Sequence, residues 1–212
     1  MNRGRFISLE GGEGCGKSTQ AKLLVDWLER CGVRTVATRE PGGTPGAEAI
    51  RQLLLNPDTA QWDVPSEAML FAAARSDHVS KLIGPALAEG HWVVCDRFLD
   101  SSLAYQGAAG NLGIDAVREL HRLGSRGLLP DATLLLRLPA GEATRRLQER
   151  DGHHRDAIGG RDATFHMLVS EAFDALAAAE PERFRIIEAL GPVEKVHERI
   201  RHALTPMLGH LA

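Results

Sequence analysis

The sequence predicts an α/β fold in which a parallel sheet carries helices on both faces. Apolar runs and helical patterns alternate along the chain, and this alternation is typical of parallel strands joined by helical crossovers. No long linker or repeat divides the 212 residues, so we expect a single domain over 1–212. The five apolar runs predicted to be strands are Phe6–Leu9, Val33–Thr38, Trp92–Cys95, Ala132–Leu138 and Phe184–Ile187.

The helices are predicted from apolar residues at helical spacing. After the first strand, Ala21, Leu24, Val25 and Leu28 follow the i, i+3, i+4, i+7 pattern, and Gly32 is suited to end that helix. The second helix is predicted from Ala47, Ile50, Leu53 and Leu54. A third helical stretch is predicted at about Ser66–Glu89, with a break or kink at Gly84-Pro85. Leu176–Ala179 is predicted to be helix or packing surface, and the last helix is predicted at about Pro192–Leu208.

A glycine-rich motif lies between the first strand and the first helix. Gly11, Gly16, Lys17 and Ser18 occupy the fixed positions of G-x-x-x-x-G-K-S. Glycines let backbone N–H groups surround a polyphosphate, and the following helix turns its positive end to the same anion. Lys17 adds a cation, and the Ser18 hydroxyl is suited to ligate Mg²⁺. The motif and its context predict a three-layer P-loop NTPase fold.

A second anchor follows the third predicted strand. Asp96 comes directly after the apolar run, where an acid would orient Mg²⁺ beside Ser18, although it could also cap the next turn. Arg97 is suited to grip a phosphate with two N–H groups, and a surface salt bridge is the alternative. Phe71 and Arg75 lie four residues apart on one helical face. They are suited to stack on and hydrogen-bond a base, although such a pair is more often a core Phe beside a surface Arg.

Composition narrows the possible partners. The net charge is −3, so the basic excess of a nucleic-acid-binding protein is absent and a small phosphorylated substrate is favoured. No apolar stretch approaches the ~18 residues that a membrane span needs, so no membrane partner is expected. The three cysteines, Cys15, Cys31 and Cys95, show no paired spacing, which favours free thiols and a cytoplasmic location.

Four strings of the sequence carry a family resemblance. They are F-I-S-L-E-G-G-E-G-C-G-K-S-T-Q, T-R-E-P-G-G-T-P-G-A-E-A-I-R, L-F-A-A-A-R-S-D-H and D-R-F-L-D-S-S-L-A-Y-Q-G. In this order and spacing the chain resembles the thymidylate kinase family. The resemblance implies transfer of the γ-phosphoryl group of ATP to dTMP with Mg²⁺, a five-stranded parallel sheet and a homodimer.

The resemblance also implies a role for individual residues. Glu13 would contact the 3′-hydroxyl of the deoxyribose, Arg51 and Arg97 would hold the acceptor phosphate, and Tyr105 would pack under the sugar. Phe71 would stack on thymine, Arg75 would bond its O4, and Ser102 and Gln106 would border its other polar edge. The implied ATP-binding residues are Gly11, Gly12, Glu13, Gly14, Cys15, Gly16, Lys17, Ser18 and Thr19, and the implied metal ligands are Ser18 and Asp96.

A mobile lid is predicted at about 149–162, from its glycines and charges. The P-loop itself carries no arginine, so the lid should supply the cation over the transferred phosphate. Many relatives have Asp-Arg where this chain has Asp156-Ala157. Arg155 and Arg161 could take the place of that arginine, and we include them among the predicted catalytic residues. Arg150 and Arg146 lie nearby in the sequence. The complete set predicted to be catalytic is Lys17, Asp96, Arg97, Arg155 and Arg161.

Three other functions remain open at this point. The chain could be a P-loop kinase for another nucleoside monophosphate, or a nucleotide-dependent switch or assembly ATPase without a small-molecule acceptor. The departure at Ala157 also leaves open a member of the fold that has lost activity.

Overall fold

A computed structural model of the chain describes residues 3–56, 61–139, 141–143, 145–146 and 160–209. Its centre is a five-stranded sheet in the order β2-β3-β1-β4-β5, and every neighbouring pair is parallel. The strands are β1 (Phe6–Glu10), β2 (Thr35–Arg39), β3 (Trp92–Asp96), β4 (Ala132–Arg137) and β5 (Phe184–Glu188). The predicted five-stranded parallel sheet is confirmed.

The helices connect these strands. They are α1 (Lys17–Arg30), α2 (Pro45–Leu55), α3 (Val64–His78), α4 (Gly84–Ala88), α5 (Leu99–Ser102), α6 (Ile114–Ser125), α7 (Ala163–Ala179) and α8 (Val193–Leu208). Two π-helical segments, π1 (Val79–Ile83) and π2 (Leu103–Ala109), continue α3 and α5, and residues 141–143 and 145–146 are helical. Within the described ranges, no helix has both the length and the apolar character needed to cross a membrane.

Apolar packing covers both faces of the sheet. Successive strand residues point to opposite faces, so Val93 packs with α7 and π2 while the adjacent Val94 packs with α1 and α8. Phe173 and Leu24 are fully buried representatives of the two cores. A parallel sheet buried on both faces explains why its central strands read as continuous apolar runs.

Several predicted boundaries differ by one or two residues from those observed, and the contacts explain two of the differences. The second strand begins at Thr35 rather than Val33, because the N–H of Val33 donates to the carbonyl of Leu28 at 3.0 Å and closes the end of α1. Gly32, with φ of 80°, permits that turn, so its predicted role as the helix terminator is confirmed. Of the break or kink predicted at Gly84-Pro85, the break does not occur. The third helix widens into π1 just before these residues and then continues as α4, with Pro85 at the start of α4.

Candidate active site

A cleft of about 560 Å³ lies at the carboxyl ends of β1, β2 and β3. The parallel strands end at one edge, where Glu10, Arg39 and Asp96 terminate β1, β2 and β3. The residues predicted from the sequence that line this cleft are Glu13, Gly14, Gly16, Lys17, Ser18, Thr19, Arg51, Phe71, Arg75, Asp96, Arg97, Ser102, Tyr105 and Gln106. We call the part around the P-loop, Asp96 and Arg97 the phosphate end, and the part around Phe71, Arg75, Ser102 and Gln106 the base end.

The P-loop, residues 11–18, leaves β1 through a position that only glycine can occupy. A Cβ atom on Gly11 would lie 2.4 Å from the carbonyl oxygen of Leu136, and its φ is 132°. Gly16 precedes α1 with φ of 88°, a left-handed conformation that turns the loop into the helix. Lys17 and Ser18 therefore stand in the first turn of α1, where the helix presents its positive end.

Lys17 is buried and turns its ammonium group back over the loop. Its Nζ donates to the carbonyl oxygens of Gly12 at 2.7 Å and Gly11 at 3.1 Å, and it lies 3.5 Å from Sγ of Cys15. Burial opposes the charge on Lys17, but the nearby thiol of Cys15 and the carboxylates of Glu13 and Asp96 leave its pKa raised. The lysine therefore stays protonated and supplies a fixed positive charge to the phosphate end.

Ser18 and Asp96 meet at the same end of the cleft. The Ser18 hydroxyl donates to Oδ2 of Asp96 at 2.5 Å. One hydroxyl and one carboxylate beside a phosphate cradle are hard oxygen ligands, and Mg²⁺ in nucleotide sites keeps waters and phosphate oxygens as its remaining ligands. Among the residues that the structure describes, no group of three or more His, Cys, Asp or Glu forms a complete metal cage. The pair fits a magnesium ion carried by a nucleotide, and its ligand role remains a prediction.

Arg97 occupies the centre of the phosphate end. Its backbone φ is 69°, so it turns away from the direction of β3. The guanidinium donates to the Gly11 carbonyl at 3.2 Å, to Ser101 Oγ at 3.0 Å and to Glu13 Oε1 at 2.5 Å. It also lies 5.2 Å from the centre of the Tyr105 ring. Although burial opposes the charge, Tyr105 and three neighbouring carboxylates hold the pKa of Arg97 well above its ordinary value.

Arg75 is the corresponding cation of the base end. It is 2% exposed, and its Nε donates to Glu40 Oε2 at 2.7 Å. Its Nη2 donates to Ser102 Oγ at 2.8 Å and to the Phe98 carbonyl at 3.3 Å. The predicted i, i+4 pairing of Phe71 with Arg75 brings both residues into the cleft lining.

Gln106 connects the base end to α7. Its Nε2 donates to Glu67 Oε1 at 2.8 Å, and the other oxygen of Glu67 accepts from Arg161 Nη2 at 2.5 Å. The Arg161 guanidinium also lies 4.5 Å from the centre of the Phe165 ring. Arg161 is thus paired beside the base end rather than over the P-loop, and its catalytic role, which would require it to leave Glu67, stays a prediction.

Buried acids and a histidine around the cleft were not singled out from the sequence. Glu40 and Glu67 bind side chains of the base end, and His78 binds Glu40. Glu10 accepts from the Phe98 N–H at 2.7 Å and from Ser101 Oγ at 2.6 Å, so it ties β1 to the turn that carries Arg97. The only sequence signal for these residues was their presence inside or beside the family strings, because an isolated acid has no diagnostic spacing.

A second cavity, of about 330 Å³, lies on the other side of the P-loop. Cys15, Arg146, Gly191 and Pro192 are among its lining residues. Arg146 lines both cavities, and its guanidinium donates to Glu142 at 3.0 Å and to the Ala189 carbonyl at 3.4 Å. The loop after β5 therefore borders the P-loop.

The predicted lid at 149–162 falls largely outside the described residues. Arg150, Arg155 and Ala157 all lie there, so the structure describes none of their contacts. Arg161 and Asp162 are described, and the Asp162 carboxylate caps α7 by accepting from the N–H of Phe165 at 2.8 Å.

Comparisons with known proteins agree with this geometry. A family profile described as thymidylate kinase matches residues 9–200. A thymidylate kinase from Rhizorhabdus wittichii is 53% identical over 205 residues, which covers 97% of this chain and 99% of that protein. A thymidylate kinase from Chromohalobacter salexigens is 47% identical, and the alignment covers 98% of this chain and 98% of that protein. A thymidylate kinase from Bacillus pumilus is 40% identical, and the alignment covers 97% of each chain. The P-loop, the Asp96-Arg97 turn and the Phe71/Arg75 pair thus occur together in a chain that belongs to the thymidylate kinase family.

Proposed function

We propose that this protein transfers the γ-phosphoryl group of ATP to dTMP, giving ADP and dTDP. The observation that carries the proposal is the single cleft that joins a P-loop at one end to the Phe71/Arg75 pair at the other, with Arg97 between them. A cleft built this way holds a donor and an acceptor nucleotide with their phosphates facing each other. Phosphoryl transfer needs this alignment, exclusion of water and neutralisation of charge, rather than covalent participation of the protein.

The chain's own residues divide this work. The P-loop and Lys17 would hold the β- and γ-phosphates of ATP, and Arg51 and Arg97 would hold the phosphate of dTMP. Ser18 and Asp96 would hold Mg²⁺, which when bound neutralises phosphate charge. Thymine would stack on Phe71 and accept a hydrogen bond from Arg75 at O4, with Ser102 and Gln106 beside it. Glu13 and Tyr105 would border the sugar, and the adenine of ATP would lie in the second cavity beside Arg146.

Arg155 and Arg161 are proposed as the source of the cation over the transferred phosphate. The support is that Glu13, rather than a cation, fills the variable part of the P-loop, where Arg97 pairs with it. Arg161 already has a partner in Glu67, so it would have to exchange that carboxylate for phosphate.

A cytoplasmic homodimer completes the proposal. The cysteines Cys15, Cys31 and Cys95 carry free thiols, as expected for a reducing compartment. The packed helices α3 and α6 each expose a large apolar side chain, Met69 at 54% and Leu123 at 77%. Light scattering after size-exclusion chromatography would measure the mass in solution, and a monomer at micromolar concentration would contradict the dimer.

A steady-state assay with ATP, Mg²⁺ and each monophosphate in turn tests the activity. We expect the highest kcat/KM with dTMP. A preference for AMP, CMP or UMP would instead indicate another nucleoside monophosphate kinase. Hydrolysis of ATP without stimulation by any acceptor would indicate a switch or assembly ATPase, and binding of both nucleotides without turnover would indicate an inactive member of the family.

A further inference from the structure

A hydrogen-bonded group lies behind the base end of the cleft. It consists of the buried residues Glu40, Arg75 and His78 and the partly buried Thr38, and we call it the Glu40 cluster. Glu40 Oε2 accepts from Arg75 Nε at 2.7 Å, and Glu40 Oε1 lies 3.0 Å from His78 Nδ1. The other ring nitrogen, Nε2 of His78, lies 2.7 Å from Thr38 Oγ1. The group thus joins the end of β2 to the last turns of α3.

Some members of the cluster can touch a ligand in the cleft, and His78 cannot. Arg75 and Glu40 line the cleft, although they are only 2% and 6% exposed. His78 has no exposed surface and therefore cannot touch a ligand. Whatever His78 contributes to recognition must act through Glu40 and Arg75.

Hydrogen-bond chemistry fixes the roles within the cluster. An ionised carboxylate only accepts, so Nδ1 of His78 donates to Glu40, and Nε2 of His78 is hydrogen-bonded to the Thr38 hydroxyl. Glu40 thus has a hydrogen-bond partner on each of its two oxygens, as a buried ion pair requires.

The glycine-rich loop after β2 closes the cluster. A Cβ atom on Gly43 would lie 2.4 Å from Thr38 Oγ1 and 2.6 Å from His78 Nε2, and the φ of Gly43 is 88°. The backbone therefore packs directly on the Thr38–His78 hydrogen bond. His78 is held by its hydrogen bonds to Thr38 and Glu40 and by the backbone of Gly43. Glu40, bound to both His78 and Arg75, therefore has little freedom to rotate.

We propose that Glu40, fixed by His78 and Thr38, is a positioning residue that aims the guanidinium of Arg75 at the atom on position 4 of a pyrimidine. This inference rests on the proposed function. Arg75 can only donate hydrogen bonds, so it accepts a carbonyl oxygen at position 4 and opposes an amino group there. With Nε bound to Glu40 and Nη2 bound to Ser102, the guanidinium cannot turn to relieve that conflict. The Glu40 cluster therefore sets the preference for dTMP over dCMP.

The test measures the ratio of kcat/KM for dTMP to kcat/KM for dCMP. This ratio does not depend on the fraction of active enzyme, so it remains readable in a partly unfolded variant. We expect the ratio to fall about 100-fold in Arg75→Ala and about tenfold in Glu40→Gln, because discrimination depends on a buried donor of fixed direction. Thr38→Val, which keeps the shape and removes one hydroxyl, should lower it about fivefold. KM for ATP should stay unchanged in all three.

Thr133→Val is the matched control. Like Thr38, Thr133 is a strand threonine whose hydroxyl belongs to an ion-pair network; it donates to Asp100 at 3.2 Å and accepts from Arg183 at 2.6 Å. It lies outside the cleft lining, so the substrate ratio should stay at the wild-type value even if stability falls. A purely structural role of the Glu40 cluster would make Thr38→Val behave in the same way.

A double-mutant cycle completes the experiment. If Glu40 acts through Arg75, Glu40→Gln added to Arg75→Ala should leave the ratio of the single Arg75→Ala variant unchanged. A further fall would overturn the inference, and so would a wild-type ratio in both Glu40→Gln and Thr38→Val. If Glu40→Gln does not fold, comparing the dTMP/dCMP ratio of Thr38→Val with that of Thr133→Val is enough to decide whether the cluster sets the preference. Failure of the proposed function is recognised separately, because the wild-type enzyme itself would then show no preference for dTMP.

Discussion

The two ends of the cleft hold their cations in different ways. At the phosphate end, Lys17 donates to the carbonyls of Gly11 and Gly12, whereas Arg97 pairs with Glu13 and also donates to the carbonyl of Gly11. Backbone carbonyls carry no net charge, so the positive charge of Lys17 stays available to an anion. At the base end, Arg75 is paired with a buried carboxylate and a hydroxyl. Its charge is balanced, and what it offers a ligand is the direction of its N–H groups.

The difference explains what each end can recognise. A cation held by uncharged carbonyls, such as Lys17, binds phosphate strongly but without regard to the nucleoside attached to it. A neutralised, rigid donor binds weakly but distinguishes a carbonyl from an amino group. The pKa values of Lys17 and Arg97 are both raised, so both side chains are protonated at neutral pH.

Removal of Lys17 should have the largest effect. In Lys17→Ala we expect kcat to fall by about 10³-fold or more, because Lys17 is the P-loop cation proposed to hold the β- and γ-phosphates of ATP. A steady-state assay with ATP and dTMP measures the loss, and circular dichroism should show an unchanged fold. Lys22→Ala is the control, since Lys22 is exposed on the same helix. Full activity in Lys17→Ala would contradict the assignment of the phosphate end.

Arg97→Ala should come next, with a fall of about 10²–10³-fold in kcat/KM for dTMP. Arginine and alanine both carry a Cβ atom, so the left-handed backbone of Arg97 is strained in the wild type and in the variant alike. Arg126→Ala is the control, because Arg126 is an exposed arginine that also has a left-handed backbone, with φ of 54°. If both variants lose activity equally per folded molecule, Arg97 does not act on the acceptor phosphate.

The predicted lid arginines test whether the cation over the transferred phosphate comes from outside the phosphate end. In this structure Arg161 lies at the base end, paired with Glu67. We expect Arg155→Ala to lower kcat about tenfold or more. Arg161→Ala should lower it less, since Arg161 must first give up its ion pair with Glu67. Turnover measured at saturating ATP and dTMP compares the two. If neither substitution changes turnover, the catalytic cation does not come from these arginines.

Substitution of Glu10 should have the smallest effect, and this effect should be on the pH dependence of stability rather than on turnover. Burial, and then the charge of Asp100, raise its pKa to about 8, although hydrogen bonds from Ser101 and Phe98 oppose the shift. The folded protein therefore keeps this proton up to about pH 8, whereas the unfolded chain loses it near the ordinary value of 4.5. Stability from this group is fully present below pH 4.5 and is lost as pH rises to about 8.

Glu10→Gln mimics the protonated acid and should remove this dependence. Between pH 6 and pH 8.5, the free energy of unfolding of the wild type should fall by on the order of 1–2 kcal/mol more than that of the variant. Urea denaturation at both pH values measures the difference. Glu119→Gln, at an exposed acid with a lowered pKa, should follow the wild type. Parallel pH profiles of wild type and Glu10→Gln would show that Glu10 is ionised in the folded protein.

Prediction from sequence succeeded where neighbouring residues carry the information. The P-loop spans eight consecutive positions, and each predicted strand is one apolar run with at most two residues of error at an end. Where two local features compete, the prediction was less accurate. Val33 was predicted to start a strand, but its N–H closes α1. Of the break or kink predicted at Gly84-Pro85, the break does not occur, because the chain continues as a helix through π1.

The sequence by itself determined the order of strands and helices, the phosphate loop and the family, because these depend on short-range patterns of apolar residues and glycines. Only the tertiary structure decided which buried charges meet. Glu40 and Arg75 are 35 residues apart and Glu67 and Arg161 are 94 apart, and no periodicity links them. Partners of buried ions are selected by desolvation, which requires an opposite charge at contact distance wherever the folded chain brings one.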